Sequence, residues 1–570
     1  MQRTLHASSM PDTPDPLAAE LRPPLGPTAR AGAPARAWGA RPDFLRAGAI
    51  LMALLTAAPV IALGFIAASE SEITGTLGHL ASTVLPRYLL TTAWVSVVVL
   101  AVALLFGVSC GWLVARYRFP GHRIVSWALV LPLAMPGFVM AYAYTQFLEV
   151  SGPLQGALRA ATGWGIGDYW FPDIRTPVGA GLFLGLALYP YVYLFSRTAF
   201  AETNPSMAEA ARSLGLSRVR VWWRVTWPVA RPAIVAGSLL VLMETLADFG
   251  VVAYFAVDTF SAGIYRAWQG MGDRVGAARL AIVLLLLVGM VVVIERRQRG
   301  RMRFFTRGGA QLIPTRVGGW AGLRMLAWCL VPIVFGFALP ALLLLFGWLG
   351  GEAVADPRLG RWVANTALIA TIAAIATMPL ALFGAYAARL HPQRSTRWSL
   401  ALANSGYALP GVVLGVALLA FVGAFDRWIS QPLIGASLFG GTLFALVYSY
   451  SVRFFSVAYQ GLGAALERIS PSMDQSARCL GRSSLGVLRD VHWPMLRRSL
   501  AAASLLVMIE CLKELPATLV LRPFNFDTLA VVAYQFAADE RLPEAALPSL
   551  LIVVVGMLPV LALARTLARR

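Results

Sequence analysis

Twelve apolar stretches, each near the length needed to cross a membrane, leave this 570-residue chain few folds to choose from. A helix needs about 20 apolar residues to cross bilayer hydrocarbon, and in lipid the backbone amides and carbonyls must satisfy one another. The stretches fall near 47–68, 88–115, 124–148, 177–200, 232–255 and 277–294, then 325–349, 363–388, 398–424, 436–458, 499–521 and 546–564. With 13% charged residues the chain is no ordinary soluble enzyme, since soluble domains carry about 25%. The expected fold is all-α and polytopic, with about 12 transmembrane helices in the lipid bilayer. Residues 1–46, rich in Pro, Ala and Arg, lack the periodicity of a folded domain and are expected to form a disordered cytoplasmic arm. A segment this long before the first span argues against a cleaved signal peptide.

The formal net charge of +20 would suit a nucleic-acid surface in a soluble protein. Sorted into alternating loops with the amino terminus inside, however, the inner face carries a large positive excess and the outer face a small negative one. Lys and Arg concentrate in cytoplasmic loops of membrane proteins, so the charge is an orientation signal and no nucleic-acid partner is expected. Both termini are placed in the cytoplasm, and Arg296, Arg297, Arg299, Arg301, Arg303 and Arg307 fall in a cytoplasmic linker.

The two halves repeat each other. Pro205-Ser206-Met207, Ala211-Arg212, Leu214-Gly215 and Trp227-Pro228 recur 266 residues later as Pro471-Ser472-Met473, Ala477-Arg478, Leu480-Gly481 and Trp493-Pro494. Met135-Pro136-Gly137 recurs as Leu409-Pro410-Gly411, and Gly111 with Arg116 as Gly384 with Arg389. The marked segment occupies the same loop of each half, so the copies are parallel and imply a pseudo-twofold axis along the membrane normal. The expected division is a first domain over 47–295, a basic linker over 296–323 and a second domain over 324–570, with six spans in each domain.

The repeated loop segment reads as a short helix. Asn204 and Ser470 are suited to cap it before a first-turn proline, and Gly215 and Gly481 to end it in a left-handed conformation. About ten residues of helix are not stable alone in water, so it must dock. Met207, Ala211 and Leu214, with Met473, Ala477 and Leu480, form one narrow apolar stripe in each copy. The stripe could pack on the bundle, but its occurrence in both basic loops favours a partner surface.

Glu209-Ala210-Ala211, Gly215 and Val225-Thr226-Trp227-Pro228 resemble the EAA signature of binding-protein-dependent ABC importer permeases. The second copy reads Gln475-Ser476-Ala477, Gly481 and Val491-His492-Trp493-Pro494, with Gln475 in place of the acid and Ser476 in place of an alanine. The resemblance covers roughly residues 47–568. It implies tandem type I importer permease domains in a bacterial inner membrane, with this segment as the coupling helix that sits in a cleft of the ATPase. Pro228 and Pro494 close the two motifs. The implied partners are two copies of an ABC ATPase and a periplasmic substrate-binding protein, with ATP and Mg used by the ATPase and no cofactor bound by this chain. A P-loop needs Gly-Lys-Ser/Thr, whereas the single lysine, Lys513, lies between Leu512 and Glu514. ATP hydrolysis therefore falls to a separate chain.

Four acids lie inside apolar stretches: Glu244 and Asp248, and their repeat partners Glu510 and Glu514. Such groups are costly in lipid and usually face a protein interior or a water-filled pathway. Spacing of four puts each pair on one helix face. With Lys513 they could line a pathway between the halves. Alternatively, Glu510 pairs with Lys513 while Glu244 and Asp248 find serine, arginine or backbone partners. Carboxylates are hard ligands suited to a trivalent cation. The run Lys513-Glu514-Leu515-Pro516-Ala517-Thr518, with Leu521-Arg522-Pro523-Phe524-Asn525-Phe526-Asp527-Thr528-Leu529, is similar to fused iron(III) importer permeases. That implies iron(III) as substrate and an iron-binding periplasmic partner. Thiamine, phosphonate and polyamine permeases share the general plan, and an ion-coupled secondary transporter is the rival class.

Cys110, Cys329, Cys479 and Cys511 are far apart in sequence and suggest neither a disulfide framework nor a zinc site. His6, His79, His122, His391 and His492 have no metal-ligand spacing and are expected in loops or at the surface. The Pro-Gly pairs at 136–137 and 410–411 should interrupt their helices, either as a constriction or as a packing kink.

Overall fold

The computed structural model describes residues 42–69, 82–201, 203, 205–302, 314–350, 356–434 and 439–568. Most of the expected arm, Asn204, and the linker residues Arg303 and Arg307 lie outside the described residues, as do His6 and His79. The described chain is helical apart from turns and one two-residue parallel pairing, Tyr117–Arg118 with Thr315–Arg316.

The first half holds α1 (Pro42–Ala67), α2 (Val84–Arg116), α3 (His122–Ala128), α4 (Gly137–Leu148), α5 (Pro153–Thr162), α6 (Pro177–Ala201) and α7 (Pro205–Ser213). It continues with α8 (Trp227–Ala247), α9 (Gly250–Tyr254), α10 (Phe260–Tyr265) and α11 (Arg274–Met302). The second half holds α12 (Gly319–Ile333), α13 (Leu339–Gly350), α14 (Leu359–Leu390), α15 (Arg394–Ala403), α16 (Gly411–Phe425) and α17 (Leu443–Glu467). After these come α18 (Pro471–Cys479), α19 (Trp493–Leu512), α20 (Pro516–Leu521), α21 (Leu529–Ala538) and α22 (Leu542–Ala568).

Among the described residues, nine helices are long and apolar enough to cross a membrane, and a tenth span is broken by a 91° bend between residues 134 and 137. The protein is thus an all-α polytopic membrane protein, as expected, with nine or ten spans meeting these criteria among the described residues where about twelve were read from the sequence. At the other two positions stand α17 and α19, whose apolar runs are interrupted by Arg453 and by Arg497, Arg498 and Glu510. Much of α17 is turned inward: Ser449, Tyr450, Ser451 and Phe454 are all buried.

The breaks have local causes. Proline pushes the preceding residue out of helical geometry and supplies no amide of its own; Met135 and Leu409 are extended, as are Pro136 and Pro410, before α4 and α16 start afresh. A second pair of breaks follows α8 and α19. Asp248 is extended at ψ 136°, and α9 starts two residues later; beyond α19, α20 starts at Pro516. The stretches 232–255 and 499–521 are therefore not continuous helices. Asp248 and Glu514 sit in the breaks, not four residues along an unbroken helix face from Glu244 and Glu510.

The leading helices cross between halves. Leu45, Ala49 and Met52 of α1 belong to the second half's hydrophobic core, and Tyr448 of α17 donates to the Leu55 carbonyl at 2.5 Å. Conversely, α12 packs on α2 and α3, Trp328 Nε1 donates to Ser109 Oγ at 2.9 Å, and Tyr144 Oη to the Phe335 carbonyl at 2.6 Å. This exchange brings Cys110 of α2 against Cys329 of α12, both buried free thiols, although 219 positions separate them in the chain.

Candidate functional site

A cavity of about 160 Å³ lies where the breaks of the two halves converge. Its walls include Met135, Pro136 and Gly137 from the first break, Asp248 and Phe249 from the second, and Glu514, Leu515 and Pro516 from the repeat of the second. Glu244, Asp248, Glu510, Lys513 and Glu514 all line it, joined by Arg453, Tyr407 and Tyr191. The five sequence candidates are thus brought together.

Each acid has a different partner. Lys513 Nζ lies 2.9 Å from Glu510 Oε1, and Arg453 Nη1 lies 2.9 Å from Glu514 Oε1. Glu514 Oε1 also accepts from the Ala517 amide at 3.2 Å. Tyr407 Oη donates to Glu244 Oε1 at 2.9 Å, and Asp248 Oδ2 accepts from the Val252 amide at 3.3 Å. The Arg453–Glu514 pair is almost wholly buried, with side-chain exposures of 13% and 3%. Removing one partner of such a pair costs about 3–5 kcal/mol. Gly411 leaves room for the pair as it stands: a Cβ there would lie 2.6 Å from both Arg453 Nη1 and Glu514 Oε1 and would force it to shift.

The repeat is broken in charge. Both cations come from the second half, and the first half has Ala187 and Ala247 at the positions of Arg453 and Lys513. Four carboxylates against two cations give the lining a formal excess of two negative charges. Glu514 Oε2 and Arg453 Nε, both buried, have no hydrogen-bond partner among the described residues. The sequence expectations leave out Arg453 and Tyr407. A lone arginine within the 436–458 apolar stretch is itself a functional signal in a membrane; nothing in sequence marks Tyr407.

The repeated helices α7 and α18 each follow a long helix, and both expected exits are present; of the two expected caps, Ser470 is among the described residues. Ser470 Oγ accepts from the Ser472 amide at 3.2 Å. Gly215 and Gly481 adopt φ of 85° and 80°, and the amides of Leu216 and Arg482 close back to the carbonyls of Ala211 and Ala477. Within each stripe only the alanine turns inward: Ala211 and Ala477 are each 8% exposed, against 84% for Leu214 and 83% for Leu480. Met207 and Met473 are also exposed, as are Glu209, Ala210, Gln475, Pro228 and Pro494. One histidine departs from expectation: His492 is buried within a helical turn, while His391, also buried, lies in the loop after α14. Among the described residues no three His, Cys, Asp or Glu side chains gather as metal ligands.

A duplicated helical bundle that crosses the membrane and holds a charged cavity between its halves defines a transport permease. The chain belongs to the family of binding-protein-dependent transport system inner membrane components, whose pattern matches residues 103–299 and again 380–570. It is similar to an Fe(3+)-transport system permease protein of Haemophilus influenzae, at 25% identity over 465 residues, covering 80% of this chain and 85% of that one. A ferric transport system permease protein of Actinobacillus pleuropneumoniae is 24% identical over 480 residues, 79% of this chain and 66% of that one. A molybdenum transport system permease protein of Escherichia coli is 28% identical over 196 residues, 33% of this chain and 82% of that one. Permeases of this ABC importer family work with an ATPase and a substrate-binding protein.

Proposed function

We propose that this chain is the translocating subunit of an ATP-driven importer for iron(III), with both termini in the cytoplasm. The observation that carries the substrate class is the excess of carboxylates over cations in the interhalf cavity. Relatives that carry molybdenum or sulfate are among the similar proteins, but an oxyanion gains nothing from a lining of this sign, whereas a hard cation finds oxygen ligands. Two ATPase copies dock on α7 and α18 through Met207, Leu214, Met473 and Leu480, and use ATP and Mg. An iron-loaded periplasmic protein delivers the ion to the opposite face. Closure of the ATPases moves the coupling helices, and the spans exchange access to the cavity.

The deciding experiment is uptake of radioactive iron into proteoliposomes holding the permease, its ATPase and its binding protein. Iron uptake that requires ATP, with no molybdate or sulfate uptake, is the expected result. Uptake on a proton or sodium gradient without any ATPase would make the chain a secondary transporter and overturn the proposal.

A further inference from the structure

Outside the cavity, one buried cluster of charged and titratable groups has no role in the function proposed above. Asp474 on α18 is 4% exposed, and His492, at the foot of α19, is fully buried. Asp474 Oδ1 lies 2.6 Å from His492 Nε2, and Asp474 Oδ2 accepts from Arg389 Nη2 at 2.9 Å. Arg389, at the end of α14, also donates through Nη2 to the Ile469 carbonyl at 3.0 Å and through Nη1 to the Leu466 carbonyl. The Tyr386 hydroxyl, one turn back on α14, meets His492 Nδ1. With the Nε2 proton directed at Asp474 and Nδ1 at the Tyr386 hydroxyl, which can donate or accept, no donor or acceptor faces another of its kind.

The repeat lacks this cluster. The first-half positions equivalent to Asp474, His492 and Tyr386 are Ala208, Thr226 and Leu113, so Arg116, which stands where Arg389 does, has no equivalent carboxylate to meet. We infer that Asp474 fastens the second repeated helix directly to α14 and α19, an anchor for which the first repeated helix has Ala208 instead, so that the two helices transmit unequal movement to the bundle. The consequence is mechanical. Helix α19 starts beside His492 and ends beside Glu510, Lys513 and Glu514, so a displacement of α18 acts on the cavity wall through one hydrogen-bonded carboxylate. Asp474 is a positioning residue in this scheme, which rests on the coupling-helix reading given above.

The test has a wild-type arm. In hydrogen exchange on the full chain in nanodiscs, the α18 amides should exchange at least about tenfold more slowly than those of α7, since a buried network raises the free energy of local opening. Equal exchange in the two helices overturns the anchor without any mutant. The double variant Asp474→Ala/His492→Thr gives the second copy the residues of the first and should bring the two exchange rates within about twofold. In proteoliposomes with ATPase and loaded binding protein, that variant should hydrolyse ATP normally while transport per ATP falls about fivefold or more. Unchanged transport per ATP with a loosened α18 overturns the unequal transmission. Failure of the wild-type chain to bind its ATPase would sink the docking proposal instead, and leaves the exchange result standing on its own.

Discussion

Tyr407 Oη and Glu244 Oε1 are joined at 2.9 Å by a hydrogen bond that runs from the second half of the chain to the first. It crosses the cavity in which Glu510 and Glu514 are already paired with cations of their own half. Any change that separates the halves at this level must break it. A hydrogen bond to a charged group contributes about 1.5–3 kcal/mol. Tyr407→Phe lowers the cost of separating the halves and is therefore expected to speed that step about tenfold or more, raising iron uptake where separation limits the cycle, while the ATPase still co-purifies with the permease. Wild-type uptake by this variant would remove Tyr407 from the transport cycle.

The two ion pairs separate a structural role from a transport role. Arg453→Leu leaves the buried Glu514 carboxylate without its cation and should cost about 3–5 kcal/mol, whereas Arg453→Leu with Glu514→Leu removes both charges and should recover most of that loss. Thermal unfolding in detergent measures both. If the double variant is stable yet transports no iron, the pair serves permeation; full activity would reduce it to a packing device.

Glu244→Gln with Glu510→Gln tests the acids without emptying space. Amide and carboxylate are nearly the same size, so assembly should persist. Initial rates of iron uptake should fall well below those of either single variant, because the two positions line the same cavity and are equivalent in the repeat. Uptake equal to wild type would retire the carboxylate pathway.

Gly215→Glu with Gly481→Glu strains both helix exits. A side chain held at these positive φ values costs about 1–2 kcal/mol, although nothing lies within 4 Å of the added Cβ at either position. The expected outcome is loss of the ATPase on co-purification with normal membrane insertion; an intact complex would move the docking surface elsewhere.

Leu214→Asp with Leu480→Asp leaves the backbone alone and attacks the exposed ends of the two stripes. Both leucines stand almost free of the bundle, so the fold should be indifferent and ATPase affinity should drop. Binding measured by titration against the detergent-solubilised permease decides this.

The duplicated motifs make the helical exits, the repeated short helices and the equivalence of Glu244 with Glu510 legible in the sequence. Their information is local or repeats at a fixed offset. The interruption at Pro136 and Pro410 was equally readable, since proline acts on its own neighbours. Less accessible were the breaks at Asp248 and Glu514. At Asp248 no proline ends the helix and tertiary packing does so, whereas at Glu514 the missing amide of Pro516 contributes, although the sequence around it also reads as one apolar stretch. Arg453 and Tyr407 meet Glu514 and Glu244 through contacts between segments 61 and 163 residues apart, and no periodicity reports those. The expectation of exposed histidines fails at His492 because Asp474 and Tyr386 supply partners that composition does not reveal.

The exchange of leading helices has a consequence for biogenesis. Helix α1 leaves the ribosome well before α15 and α16, against which it packs and which begin more than 300 residues later. At synthesis rates of about 5–20 residues per second, it waits on the order of 15–65 s for them. During that interval its inward face is solvated by acyl chains or held by the insertion machinery, and the finished bundle closes only when the last half of the chain has entered the membrane.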